Sequence, residues 1–417
     1  MKAIVLAAGE GKRLRPLTHT RPKCMIHVAG KPILERVLGN LREAGIREAT
    51  VVVGYMKERV MKHFGDGEKI GMKISYVEQR GEYGTGAAFL TARESVHETF
   101  FGIAGDVVTE ASAIKKIMKA HGKNGCDITL GLRRVSHPQH YGNVKLAGGK
   151  VVGLVEKPAH VEGSALVNTS MYVMEPSIFE YIEKTKKSAR GEREFTDAIK
   201  MLIERDEAGG VELIEYWLDI GMPWQLLDAN AFVLERAKPR KGKIENSTIV
   251  GNVVMEKGAE IFESYIEGPV YVGKESVIGP HAYIRPFTSM GARCSISDST
   301  TVKNSIIMDG VNAKHLTYIG DSVIGEGCNF GAGTQIANFR FDEGPIRSEV
   351  AGAVVDSGKR KLGAVIGDRT KTGVLSCIMP GKTIGEDCWI GAGVVVDQNI
   401  QPRTHVFVRQ NLGMRKR

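Results

Sequence analysis

From Val272 onward, apolar residues return every six positions: Val272, Ile278, Ile284, Met290, Ile296, Val302 and Met308. After an interruption the pattern resumes at Ile324, Phe330 and Ile336, then at Ile366, Ile378, Ile384, Ile390 and Val396. Glycine often follows directly, as at Gly273, Gly279, Gly291, Gly325, Gly331, Gly367, Gly385 and Gly391. A period of six is neither the 3.6 of a helix nor the 2 of a plain strand. It fits a triangular parallel β-helix, in which each side is one short strand and a tight turn, with one residue per side facing the core. A β-sandwich has no reason to keep such a register.

The first half has another rhythm. Short apolar segments (Ala3–Leu6, Ala49–Val53, Ile74–Val77, Phe101–Ala104 and Ile128–Leu132) alternate with amphipathic patterns at Ile33–Ala44 and Ala87–Ser95. Strand–helix alternation predicts an α/β domain with a Rossmann-like, mainly parallel sheet and helices on both faces. We place this domain at residues 1–237, a basic linker at 238–247 and the β-helix at 248–417. Ligands of such sheets bind beyond the carboxyl ends of the strands.

The stretch Leu6 to Lys23 occupies such a place. It reads as a strand, a glycine loop and two cations, and its chemistry is that of a phosphate site. Gly9 and Gly11 let backbone amides face an anion, and Arg13 and Lys23 supply charge to polyphosphate oxygens. The Walker loop fails on spacing, because Gly11-Lys12-Arg13 follows Gly9 too closely. The dinucleotide fingerprint fails because Leu14 stands where its third glycine belongs.

Composition narrows the partners. The chain has 417 residues, a net charge of +9 and 50 glycines, which are somewhat denser after residue 250. Zinc-finger spacing and basic patches interleaved with aromatics are both missing from the sequence, so the positive balance points to small polyanions rather than nucleic acid. Clusters around Lys238–Lys243 and at Arg415–Arg417 read as a solvated linker and tail. Six scattered cysteines without CxxC pairs fit unpaired thiols in a reducing cytoplasm. With no 18-residue apolar run, no membrane span is expected.

The Leu6–Lys23 string as a whole resembles the signature of the sugar-1-phosphate nucleotidylyltransferases. The resemblance implies that Leu6, Ala8, Gly9, Gly11, Gln79, Gly84 and Thr85 bind the nucleotide, with Gln79 reading the imide edge of a pyrimidine. It implies Mg²⁺ on Asp106 and Asp219, since that ion takes carboxylates plus substrate phosphates. It also implies that Gly142, Glu156, Lys157, Asn168 and Thr169 bind the sugar phosphate. The sugar-phosphate oxygen would attack the α-phosphorus of UTP or dTTP in line and release pyrophosphate, with Arg13 and Lys23 neutralising charge.

In the second half, the interruption at Asn312–Asp321 resembles the acetyltransferase half of the bifunctional glucosamine-1-phosphate acetyltransferase and N-acetylglucosamine-1-phosphate uridyltransferase family. Arg285, Lys303 eighteen residues later and His315 twelve after that match its spacing. The resemblance implies a left-handed β-helix that trimerises, with acetyl-coenzyme A as cosubstrate. His315 would be the base that deprotonates the amine. Arg285 and Lys303 would hold the sugar phosphate, Tyr318, Asn329 and Asn338 would orient the sugar, and backbone near Ala332 would hold the oxyanion. Gly344 stands where this family carries a lysine; Arg340 and Arg347 lie near it in sequence. The alternatives are a monofunctional nucleotidylyltransferase with a purely assembling β-helix, and a non-catalytic regulatory subunit.

Overall fold

The computed structural model describes residues 1–161, 163–188, 191–240 and 242–415. Lys241, Lys416 and Arg417, part of the expected linker and tail, lie outside them. The chain divides into two compact units. One comprises Met1–Glu10, Pro22–Met25 and Pro32–Asp219; the other comprises Gly11–Arg21, Ile26–Lys31 and Ile220–Arg417. This differs from the expected division at 237. The helix Pro223–Glu235 and most of the stretch 11–31 belong with the β-helix.

The first unit is built on a nine-stranded sheet. From one edge the order is Lys73–Glu78, Glu48–Val53, Ala3–Ala7, Phe100–Ala104, Ala165–Met174, Ile128–Val135, Ala208–Leu213, Lys150–Glu156 and Gly142–Ala147. The first four are mutually parallel. Ala165–Met174 runs antiparallel to both of its long neighbours, with a bulge between Asn168 and Tyr172.

Alternation along the first strand explains the two layers: Ala3, Val5 and Ala7 face one core, and Ile4 faces the other. Helix Ile33–Glu43 covers the first core with Leu34, Val37, Leu38 and Leu41, at the spacing of a single helical stripe. Phe89, Phe179, Phe195 and Leu202 build the other.

The second unit winds through three parallel sheets of nine, eight and seven short strands. It has the architecture of a left-handed parallel β-helix, the fold that the six-residue period predicts. Registers such as Ile266↔Ile284, Ile284↔Val302, Val302↔Ile319 and Ile319↔Ile336 stack one buried residue per coil on the next.

Two sequence expectations need correction. Lys243–Glu245, placed in the linker, is already the first strand of one side, paired with Glu260–Phe262. And the inward residue after Val302 is Ile307, not Met308. The corner there takes a five-residue step, so Ile307 enters the core and Met308 is buried outside it.

Candidate functional site

In the first unit, two carboxylates converge on one ammonium. Lys23 follows the short 3₁₀ turn's entry at Pro22, and its Nζ donates to Asp106 and lies 3.9 Å from Asp219 Oδ1. Asp106 follows the strand Phe100–Ala104, and Asp219 ends Trp217–Asp219, which pairs with Val107–Thr109. That pairing brings together aspartates more than a hundred residues apart in sequence. The donor set fits Mg²⁺. Two hard-oxygen groups already face a common cation, and substrate phosphates would complete the ligand set. Among the described residues no group of three or more His, Cys, Asp or Glu side chains is placed to hold a metal ion.

Gln79 follows the strand Lys73–Glu78, and its Nε2 donates to the carbonyls of Glu82 (3.0 Å) and Gly84 (3.3 Å), bracing the loop that leads into helix Thr85–Thr91. Gly84 has φ +103°, and a Cβ there would meet the Arg193 carbonyl oxygen at 2.5 Å. Glycine is therefore required on both counts.

Arg193, which sequence reasoning missed, ties this loop down. Its amide donates to the Tyr83 carbonyl and its carbonyl accepts from Gly86. Its guanidinium reaches Glu82 and the carbonyls of Ile182, Glu183 and Thr185. No motif marks it, because its work is on backbone distant in sequence. Thr85 accepts from the Phe195 amide at 3.2 Å.

On the sugar side, Glu156 sits beside Gly142 and 3.4 Å from Lys157 Nζ. Asn168 lies in the bulge, donating to the Tyr172 hydroxyl (2.8 Å) and accepting from the Ser170 amide (3.0 Å). Thr169 is corrected. It is fully buried, its hydroxyl donates to Gly131 and its carbonyl accepts from Trp217, so it supports the bulge instead of facing a ligand. Leu6 and Ala8 are half-buried at the end of the first strand, and Gly9 opens onto free space.

Gly11 and Arg13 group with the second unit. Gly11 is left-handed at φ +71°, and the Arg13 guanidinium lies over Gly221. The segment 11–21 is anchored at its far end. Arg21, 2% exposed, donates to Asp368, also 2% exposed, and pairs with Glu326 at 3.1 Å. Thr20 also donates to Asp368 (2.6 Å), and His19 Nδ1 is 2.7 Å from Glu386.

The second cluster lies on the β-helix. His315 Nδ1 is 2.8 Å from Asp298 Oδ2, both side chains about half exposed. Asp298 sits one coil earlier at a left-handed corner, where its carbonyl accepts from Leu316. This orienting carboxylate was missed because the contact crosses a coil, and nothing in the local string signals it. The turn containing Ala332 lies one coil further on, where Gly333 donates to the His315 carbonyl at 3.1 Å.

On one side of the triangle, Arg285 and Lys303 occupy matching positions on adjacent coils, after Ile284 and Val302. Asn338 donates to Tyr318 (3.2 Å) and to Asp321 (2.5 Å). Burial pushes the Tyr318 phenol up, and burial together with neighbouring cations holds the Lys303 ammonium below its usual range. Asn329 lies on the adjacent side of the triangle, exposed, next to Asn312. Arg340, one candidate for the missing lysine, is engaged by Asp342.

A carboxylate pair beyond the parallel strands of a sheet and, on the same chain, a histidine–aspartate pair and an arginine–lysine column on a β-helix define the class: a transferase acting on phosphorylated small molecules. The nucleotidyl transferase family model matches residues 2–236, and the model of the GMPPB C-terminal domain matches residues 266–374. "Bifunctional protein GlmU" of Methanocaldococcus jannaschii is 41% identical over 420 residues, covering 100% of both chains. The "bifunctional sugar-1-phosphate nucleotidylyltransferase/acetyltransferase" of Sulfurisphaera tokodaii is 40% identical, covering 96% of this chain and 98% of its own. A UDP-glucose pyrophosphorylase solved with UDP-glucose superposes with a TM-score of 0.52 at 25% identity, covering 57% of this chain and 99% of that one. The chain belongs to the nucleotidyl transferase family and, over its whole length, to the bifunctional sugar-1-phosphate nucleotidylyltransferase/acetyltransferase family.

Proposed function

We propose that this chain acetylates an amino-sugar 1-phosphate with acetyl-coenzyme A, and transfers a uridylyl or thymidylyl group from UTP or dTTP to the sugar 1-phosphate, releasing pyrophosphate. The observation that carries it is the coexistence of two built sites: Lys23 between Asp106 and Asp219, and His315 held by Asp298. A purely assembling or regulatory β-helix has no need of the second.

In the nucleotidyl half, Asp106 and Asp219 would hold Mg²⁺, which supplies charge neutralisation at the phosphates. Lys23 and Arg13 add positive charge where pyrophosphate departs, and Gln79 on its braced loop reads the base. Glu156, Lys157 and Asn168, with the backbone at Gly142, orient the sugar phosphate. The incoming phosphate is already ionised, so positioning and charge carry the step.

In the acetyl half, Asp298 holds Nδ1 of His315, which leaves Nε2 to take a proton from the amine as it attacks the thioester. Backbone near Ala332 faces the developing oxyanion, and coenzyme A thiol leaves. Arg285 and Lys303 hold the phosphate; Tyr318, Asn338 and Asn329 orient the sugar. The β-helix supports assembly as a trimer or a dimer of trimers. All six cysteines are unpaired, which suits the reducing cytoplasm.

A panel of triphosphates and sugar 1-phosphates with Mg²⁺, and of amino-sugar 1-phosphates with acetyl-coenzyme A, tests both halves. Pyrophosphate and free thiol are the products expected. Absence of either one removes the corresponding half of the proposal.

A further inference from the structure

We infer that Lys361 is the third phosphate-binding cation of the acetyl-transfer site, taking the part of the lysine that Gly344 leaves out; the inference rests on the acetyltransferase reading of that site. The β-helix is interrupted between Asn338 and Leu362 by an excursion containing the hairpin Arg347–Val350 and Ala353–Asp356. Its return is fixed by backbone. Leu362 donates to the Asn338 carbonyl at 3.0 Å, and Gly363 donates to the Asp321 carbonyl at 2.9 Å. The approach is close enough that a Cβ at Gly363 would meet Ser322 Oγ at 2.1 Å and the Gly320 carbonyl oxygen at 2.2 Å. Lys361 is thus placed beside the residues that would orient the sugar, although it is 23 positions from Asn338 in sequence.

The charges around it have no local explanation. Of the other cations of the excursion, Arg340 pairs with Asp342, Arg360 with Glu343 and Lys359 with Asp228, while Arg347 is exposed on the hairpin. Lys361 Nζ instead lies 5.8 Å from the centre of the Phe339 ring, next to Asn338, and burial together with the charges of Lys361 and Arg285 holds the Lys303 ammonium below its usual range. The carboxylate among them is Asp321, which also accepts from Asn304 and Asn338. Three cations and one carboxylate leave a surplus of two positive charges, that of a sugar phosphate dianion. Arg285 also carries a buried Nε with no partner. Like charges crowd together at a cost unless an anion joins them, so the cluster is shaped for phosphate.

Two measurements decide the matter. In Lys361→Gln the KM for glucosamine 1-phosphate should rise about 10-fold or more, the loss of one charge-assisted contact. Acetyl transfer at saturation should stay within about twofold, the KM for acetyl-coenzyme A should not move, and Lys361→Arg should recover most of the affinity. An unchanged KM overturns the inference. The second readout needs no turnover: an amine-modifying reagent, mapped by mass spectrometry, should label Lys361 in the native protein. Glucosamine 1-phosphate should protect it and glucosamine should not. Equal labelling with and without the sugar phosphate overturns the inference. If the wild type acetylates nothing yet Lys361 is protected, the acetyl chemistry fails and the phosphate site stands.

Discussion

At the scale of single residues, the informative ones act through a neighbour. His315 alone is an exposed histidine; what suits it to the proposed role of base is the carboxylate of Asp298 at 2.8 Å on Nδ1. That contact fixes the ring's orientation and, in the proposed reaction, would stabilise the imidazolium formed when the amine is deprotonated. Asparagine keeps the shape and removes the charge. Asp298→Asn should therefore lower kcat for acetyl transfer by between about 10- and 10³-fold, with the KM for the sugar phosphate nearly unchanged. Steady-state thiol release checks this, and a variant that loses affinity while keeping kcat would show that Asp298 shapes only the substrate pocket. Sequence reasoning could name His315 from its string but not Asp298, because the corner of one coil meets the next through the winding of the helix and not through spacing in the chain.

At the scale of elements, the same distinction separates what was legible from what was not. The six-residue period and the strand–helix alternation are repeated local signals, so both folds followed from them. The five-residue corner at Ile307 was invisible because Met308 is equally apolar, and only the geometry of the turn chooses between them. The anchor of segment 11–21 was invisible for another reason. Arg21 and Asp368 lie 347 residues apart, and both are almost wholly buried. A buried charge left without its partner typically costs about 3–5 kcal/mol. Asp368→Asn, which keeps the shape but removes the buried charge beneath Arg21 and Thr20 and leaves Arg21 only the more exposed Glu326, should lower stability by an amount up to that order. The glycine-loop segment should be freed first. Thermal unfolding reads the first effect, and faster amide exchange confined to residues 11–21 reads the second. Uniform exchange across the strands of the β-helix would show instead that Asp368 supports the coils and not the loop.

At the scale of the whole molecule, the two proposed reactions draw on different residues and different chemistry. One needs charge neutralisation around a polyphosphate, the other a proton acceptor beside a thioester. They should therefore be separable by substitution. His315→Ala should reduce acetyl transfer to glucosamine 1-phosphate by about 10²–10⁴-fold, the usual contribution of a general base, while pyrophosphate release from UTP and N-acetylglucosamine 1-phosphate stays near the wild-type rate. Asp106→Asn should do the reverse, cutting pyrophosphate release by about 10²-fold or more through loss of charge at the phosphates and sparing thiol release. Given glucosamine 1-phosphate, acetyl-coenzyme A and UTP together, neither variant alone should make the acetylated nucleotide sugar efficiently. An equal mixture of the two should make it after a lag, because the acetylated sugar phosphate can leave one active site and enter another. If one substitution abolishes both reactions, or the mixture stays silent, the intermediate does not pass freely and the two halves work as a single site.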